Sequence, residues 1–370
     1  MLRAIFSLLA VFLLAALAVY SISFILPELA RQLGSGAYFA VPLSWVGGAI
    51  GGVVLSILAD VWSRRFSLLI SILLFLIPLF LNLEVRNLPE LYLLWFTIGF
   101  GVNGENGLSY AYAAELSPSR MRGLVGSLMQ GLYFLGGLLG LLMSYLLRNP
   151  FTYFLTVSLV VLLSLPLWVF IPESRFRGSG ELSMRAFGGS TLKTLIFGSI
   201  FAVGSFLFVV PLVSLSFTLL TSLELPAFQT IVVALLVGLV GFTIAGRLSD
   251  RLGRKRTTYV FLVISLIFSS LMFLEVPSIV ELSVIALMFG SAFFAYFGVW
   301  MGEIFPGEVR ATATNLVFFL GRLIGGGFGV AIVLLLPLGL QRDLAVALLA
   351  SSILVGVAVS KLPETAKGIQ

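Results

Sequence analysis

Cysteine and histidine are both absent from the 370 residues, and each absence removes a class of chemistry. No disulfide framework, thiol nucleophile, Cys/His zinc site or histidine proton shuttle can be built from this chain. Charge is scarce as well. Asp, Glu, Lys and Arg make up 10% of the residues, against 59% hydrophobic side chains. A soluble domain carries about 25% charged residues and could not hide so much apolar surface. The sequence also offers no nucleophile–base pair, metal cluster or phosphate loop. Its Gly-rich stretches lie inside apolar runs and are not nucleotide fingerprints. No enzyme, metal site or cofactor is expected.

What is present is a series of long uncharged runs: 4–27, 32–59, 66–83, 91–104, 123–147, 149–172, 194–223, 225–246, 257–274, 282–302, the 311–341 region and 344–360. A bilayer core of ~30 Å takes about 20 helical residues. Helices also satisfy their own backbone groups, which lipid cannot do. The runs therefore predict an all-α membrane protein of twelve transmembrane helices. Residues 1–30 read as the first span, being too long and apolar for a signal peptide and lacking a cleavage-like site.

The net charge of +6 could suggest nucleic acid, but its distribution points to a lipid bilayer. With twelve spans, seventeen of the 22 Lys and Arg fall at one face: Arg3, Arg64, Arg65, Arg120, Arg122, Arg175, Arg177, Arg185, Lys193, Arg247, Arg251, Arg254, Lys255, Arg256, Arg310, Lys361 and Lys367. Four fall at the other: Arg31, Arg86, Arg148 and Arg342. The positive-inside rule then places both termini in the cytoplasm of a multi-pass cell-membrane protein. Arg322 belongs to neither face.

Three signatures recur. Asp60-Val-Trp-Ser-Arg64-Arg65 returns 190 residues later as Asp250-Arg-Leu-Gly-Arg254-Lys255. Glu115-Leu-Ser-Pro118-Ser-Arg-Met-Arg122 returns 188 later as Glu303-Ile-Phe-Pro306-Gly-Glu-Val-Arg310, and Ile171-Pro172-Glu173-Ser174 returns 191 later as Leu362-Pro363-Glu364-Thr365. A period near 190 signals a duplicated six-helix bundle, its copies related by an axis along the membrane normal. The expected division is an N-terminal bundle at 1–173, a Gly-, Ser- and Arg-rich cytoplasmic linker at 174–193, and a C-terminal bundle at 194–370.

The stretch Gly246-Arg-Leu-Ser-Asp250-Arg251-Leu-Gly253-Arg254-Lys255-Arg256 resembles the signature loop of the major facilitator superfamily. Its first-half copy carries Val61 and Ser63 where arginine and glycine are usual. Glu115…Pro118…Arg122-Gly123, Pro172-Glu173-Ser174-Arg175 and Pro363-Glu364-Thr365 resemble the sugar-porter and metabolite/organic-ion symporter branches. The resemblance implies the major facilitator fold, with two pseudo-symmetric bundles and a monomeric transporter working by alternating access. It also implies a small-molecule substrate, with proton-coupled symport favoured.

In that family, acid-plus-arginine clusters hold the halves together at the cytoplasmic rim and break as the site turns inward. Asp60, Arg64, Arg65, Glu115, Arg122 and Glu173 are the candidates for one network; Asp250, Arg254, Glu303 and Arg310 are those for its twin. The bland alternative is that they are topology signals and helix caps. Gly47-Gly48…Gly51-Gly52, Gly136-Gly137…Gly140 and Gly325-Gly326-Gly327…Gly329 let backbones approach closely.

Only Glu105 and Arg322 put charge inside the spans. At ~1.5 Å per residue from Glu115 and Thr312, each lies roughly 15 Å deep. A charge there costs at least ~2.5–3.5 kcal/mol unless paired, hydrated or neutralised, so function is the default reading. Glu105 is the proton-coupling candidate, in the polar island Gly101-Val-Asn103-Gly-Glu105-Asn106-Gly-Leu-Ser109-Tyr110. Arg322 is the candidate for an anionic substrate group, because its fork binds a carboxylate bidentately. A fixed structural pair of the two is the competing reading. Asn103, Asn106, Gln130, Tyr110, Tyr296 and Trp300 are further substrate-binding candidates, with Gln130 at the place of a sugar-contacting glutamine in sugar porters.

Departures from that branch bear on the substrate. Trp95 replaces a helix-four arginine, helix seven lacks paired glutamines, and Gly321-Arg322-Leu323 resembles organic-ion and aromatic-acid symporters. A small organic acid or related metabolite is favoured over a sugar. A uniporter or exporter remains open. A sensor or scaffold without transport fits least, since a static protein has no use for two breakable charge clusters.

Overall fold

The computed structural model describes residues 2–116, 122–174, 189–306 and 310–365. Among them, eleven helices are long and apolar enough to cross a membrane. We label these α1 (Arg3–Phe24), α2 (Ser35–Val61), α3 (Arg64–Glu84), α5 (Gly126–Leu146), α6 (Pro150–Trp168), α7 (Thr191–Ser222), α8 (Ala227–Leu252), α9 (Arg254–Leu274), α10 (Pro277–Ile304), α11 (Ala313–Leu335) and α12 (Leu340–Lys361). The helix left over is α4, Leu88–Leu116, which is 29 residues long. Asn103, Glu105 and Asn106 dilute its apolar character. Packed against α2 and α3, it keeps all three buried, and it brings the long helices among the described residues to twelve. The chain divides into two compact units, residues 1–125 with 132–180 and residues 181–370 with 126–131.

Local chemistry sets the helix starts. Ser63 caps α3 by accepting from the Phe66 amide at 3.0 Å, satisfying a donor that the first turn leaves open. Asn149 does the same for α6, accepting from the Phe151 amide at 2.9 Å ahead of Pro150. Before α9 the chain turns at Gly253 with φ +97°, a conformation that disfavours any residue with a Cβ.

Glycines set the packing inside each unit. A Cβ on Gly47 or Gly51 of α2 would lie 2.1 Å from the Phe96 or Phe100 carbonyl oxygen of α4, and one on Gly99 would lie 1.7 Å from the Ser44 oxygen. The two helices thus meet backbone to backbone. In the other unit, a Cβ on Gly325 of α11 would lie 2.3 Å from the Val203 oxygen of α7. This part of α11 is not an α-helix: Gly321–Gly329 is a π-helix.

Candidate functional site

Glu105 is fully buried. Its Oε1 accepts a hydrogen bond from Ser109 one turn on, while Oε2 has no hydrogen-bond partner among the described residues. Ile98, Val102, Ser109 and Tyr112 continue the same stripe of α4, each at most 1% exposed. The carboxyl group therefore sits in a stripe that offers it one hydroxyl.

The neighbouring stripe of α4 splits in function. Asn106 donates to the Tyr133 hydroxyl of α5, whose ring packs edge-on against Phe12 (centroids 5.4 Å apart) and Tyr20 (5.8 Å) of α1. Tyr110 meets Phe12 at 5.8 Å. Asn106, Tyr110 and Tyr133 thus belong to one aromatic cluster, and Gln130 is buried one turn before Tyr133 on α5. Phe12 and Tyr20 escaped the sequence reading because apolar residues of helix one carry no distinguishing pattern. Asn103 is placed differently. A Cβ on Gly48 would lie 2.1 Å from its Nδ2, which donates to the Gly99 oxygen at 3.2 Å. It fills the α2–α4 contact, a packing position and not a wall of the aromatic cluster.

In the second unit, Arg322 is buried within the π-helical segment. Its guanidinium carbon lies 5.2 Å from the Phe318 ring centroid, within cation–π range. From Phe318, rings continue through Phe297 (5.0 Å), Phe201 (4.9 Å) and Trp300 (5.5 Å). π-helical irregularities within α-helices are frequent at functional sites, and this nine-residue one contains Arg322.

Tyr296 and Trp300, two of the substrate-binding candidates, have their polar partners at the other end of the unit. The Tyr296 hydroxyl is hydrogen-bonded to Thr258 at 2.7 Å and to the Arg254 oxygen at 3.2 Å. Trp300 donates to the Pro363 oxygen at 3.2 Å. Both serve the charged end of the unit, because their polar atoms find partners in the turns there and not in mid-helix.

That charged end is centred on Arg254, which is 6% exposed at its side chain. It donates to Asp250 at 2.7 Å, to Ser249 at 2.5 Å and in a fork to Glu303 at 2.9 and 3.3 Å. Glu364, from the chain after α12, accepts from the Arg254 and Lys255 amides at 2.8 and 2.9 Å and so caps α9.

The first unit repeats this cap. Glu173 accepts from the Ser63 hydroxyl and from the Arg65 amide at 3.4 Å. Arg65 donates to the Val169 oxygen as Lys255 does to that of Ser360, and Arg65 also stacks over Trp168 at 4.5 Å. Arg64 lies 3.8 Å from Asp60. Partial burial works to raise the Glu173 carboxyl, but the Ser63 hydroxyl and the Arg65, Ser174 and Arg64 amides outweigh it and hold the group below the usual carboxylate range. The caps join Glu173 to Arg65 and Glu364 to Arg254. The missed role of Glu364 was signalled by its position in the repeat, 191 residues after Glu173. The side chains of Glu115, Arg122 and Arg310 lie outside the described residues.

The Major Facilitator Superfamily family model matches residues 8–330. A Haemophilus influenzae protein, whose designation as a metabolite transport protein is provisional, is 29% identical over 82% of this chain and 81% of its own length. A protein of Cupriavidus pinatubonensis designated "Probable 4-methylmuconolactone transporter" is 26% identical over 93% and 86%. Among solved structures, the D-xylose–proton symporter superimposes with a TM-score of 0.80 at 18% identity, covering 100% of this chain and 99% of that one.

Proposed function

This chain belongs to the Major Facilitator Superfamily, and on that premise we propose that it carries a small organic acid or related metabolite across the cell membrane in symport with protons. The observation that carries the reading is Glu105: fully buried, held by Ser109 through one oxygen, with the other unpartnered among the described residues. An oxygen left open in this way is free to take up and release a proton, which suits a proton carrier. Arg322 takes the anionic end of the substrate, with Phe318 holding the guanidinium plane. The aromatic cluster of Asn106, Tyr110 and Tyr133 contributes a wall, and Gln130 a buried amide. Long-range identity to the two bacterial metabolite-transporter relatives supports a metabolite cargo.

The charged ends serve as cytoplasmic gates, and both termini lie in the cytoplasm. The bundles are residues 1–173 and 194–370, joined by a linker at 174–193. The protein works as a monomer and has no catalytic role.

The decisive experiment uses proteoliposomes. Glu105→Gln is expected to abolish accumulation driven by a pH gradient yet retain counterflow exchange. Loss of both activities would remove Glu105 from the coupling step. The cargo itself is found by thermal-shift screening against carboxylates, aromatic acids, sugars and organic cations at two pH values. Arg322→Gln should lose the carboxylate response, and a sugar response that survives it would favour the sugar-porter reading.

A further inference from the structure

At the end of α1 that carries Arg3, a groove of about 440 Å³ opens between α1 and α6 and is lined by Arg3, Phe6, Ser7, Leu167 and Phe170. Both helices lie in the first unit and pack against each other there. Phe6 and Phe170 are 70% and 55% exposed, so the groove has an apolar floor open on one side. Arg3 opens the first span and Leu167 nearly closes the sixth, which sets the groove at the boundary between hydrocarbon and headgroups. No acidic residue lines it, and Arg3 makes no ion pair among the described residues. A second cation, Arg65, stacks over Trp168, the last residue of α6, which lies between Leu167 and Phe170 in the chain.

We infer that this groove is a binding site for an anionic glycerophospholipid, its phosphate on Arg3 and an acyl chain along Phe6, Leu167 and Phe170. The shape and the chemistry argue for this occupant together. A free anion would use Arg3 but gain nothing from three apolar side chains. A zwitterionic lipid would gain the apolar floor but bring a cation toward Arg3 and Arg65. Basic grooves at the ends of transmembrane helices, on the face rich in Lys and Arg, attract acidic headgroups. On the positive-inside reading of the sequence, seventeen of the 22 basic residues share the side of the membrane assigned to Arg3. The site is separate from Glu105 and Arg322, and its occupancy does not depend on what the protein transports.

The test is native mass spectrometry of the purified full chain with phosphatidylglycerol or phosphatidylcholine added, and with inorganic phosphate as a competitor. The wild type is expected to retain phosphatidylglycerol in preference to phosphatidylcholine. Arg3→Gln should reduce that preference about fivefold, the equivalent of about 1 kcal/mol for one basic residue at an anionic surface. Arg3→Lys should keep most of it, Phe170→Ala should weaken both lipids alike, and Arg86→Gln at the opposite end should change nothing. An unaltered preference in Arg3→Gln overturns the proposal. So does equal retention of the two lipids by the wild type, or displacement of phosphatidylglycerol by inorganic phosphate.

Discussion

Glu173 and Glu364 do the same work 191 residues apart, each closing the start of a helix with a carboxylate borrowed from the chain that follows a distant span. Because the folded pKa of Glu173 is lowered, its contribution is complete above the ordinary glutamate value of ~4.3 and fades as the pH falls through its depressed value. Glu173→Gln should therefore lower the thermal midpoint at pH 7, by an amount equivalent to roughly 0.5–1 kcal/mol after allowance for solvent exposure. The gap from wild type should close on the acid side. Melting curves across a pH series measure this directly, and a gap of constant size would show that the charge of Glu173 contributes nothing. At this scale the sequence was only partly legible. A lone acid in a greasy helix announces itself, so Glu105 and Arg322 could be found from the pattern of charge. Asn103, Tyr296 and Trp300 could not be placed, because nothing in an apolar helix tells which face meets a neighbour.

The elements show the same division. Helix number and length followed from the spacing of charges, since the bilayer fixes how long an uncharged run must be. The π-helix at Gly321–Gly329 was hidden. Gly325-Gly326-Gly327 reads as close packing in any helix, and no composition rule separates that from a widened turn. The widening has a testable role. Deleting Gly327 removes the residue that the wider turns accommodate and rotates Arg322 relative to the rest of α11. The variant is expected to insert and purify as a single species, with transport reduced roughly 10–100-fold, the scale on which a misplaced binding group acts. Gel filtration and proteoliposome uptake on the same preparation distinguish this from simple misfolding.

For the molecule as a whole, the duplicated signatures lay out the architecture, and the skew of basic residues is what the proposed orientation rests on. The lack of cysteine makes the orientation easy to check, because any introduced thiol reports alone. A membrane-impermeant maleimide applied to intact cells is expected to label Arg86→Cys and Arg148→Cys. It should reach Arg256→Cys and Lys361→Cys only after the cells are opened; the reverse pattern would invert the topology. The two charged ends also differ. Arg254 binds two carboxylates at 2.7 and 2.9 Å, while Arg64 stands 3.8 Å from Asp60. The layout of the two ends is shared, and each sets its first arginine beside the acid four residues before it.

The contact between α2 and α4 has a consequence for how this protein can change over time. At Gly47, Gly51 and Gly99 the space for a Cβ is already taken by the carbonyl oxygens of the facing helix. Every missense change open to a glycine codon adds at least that one atom. None of these three positions has a tolerated neighbour one mutational step away, so this seam is frozen while the lipid-facing sides of the same helices are free to drift.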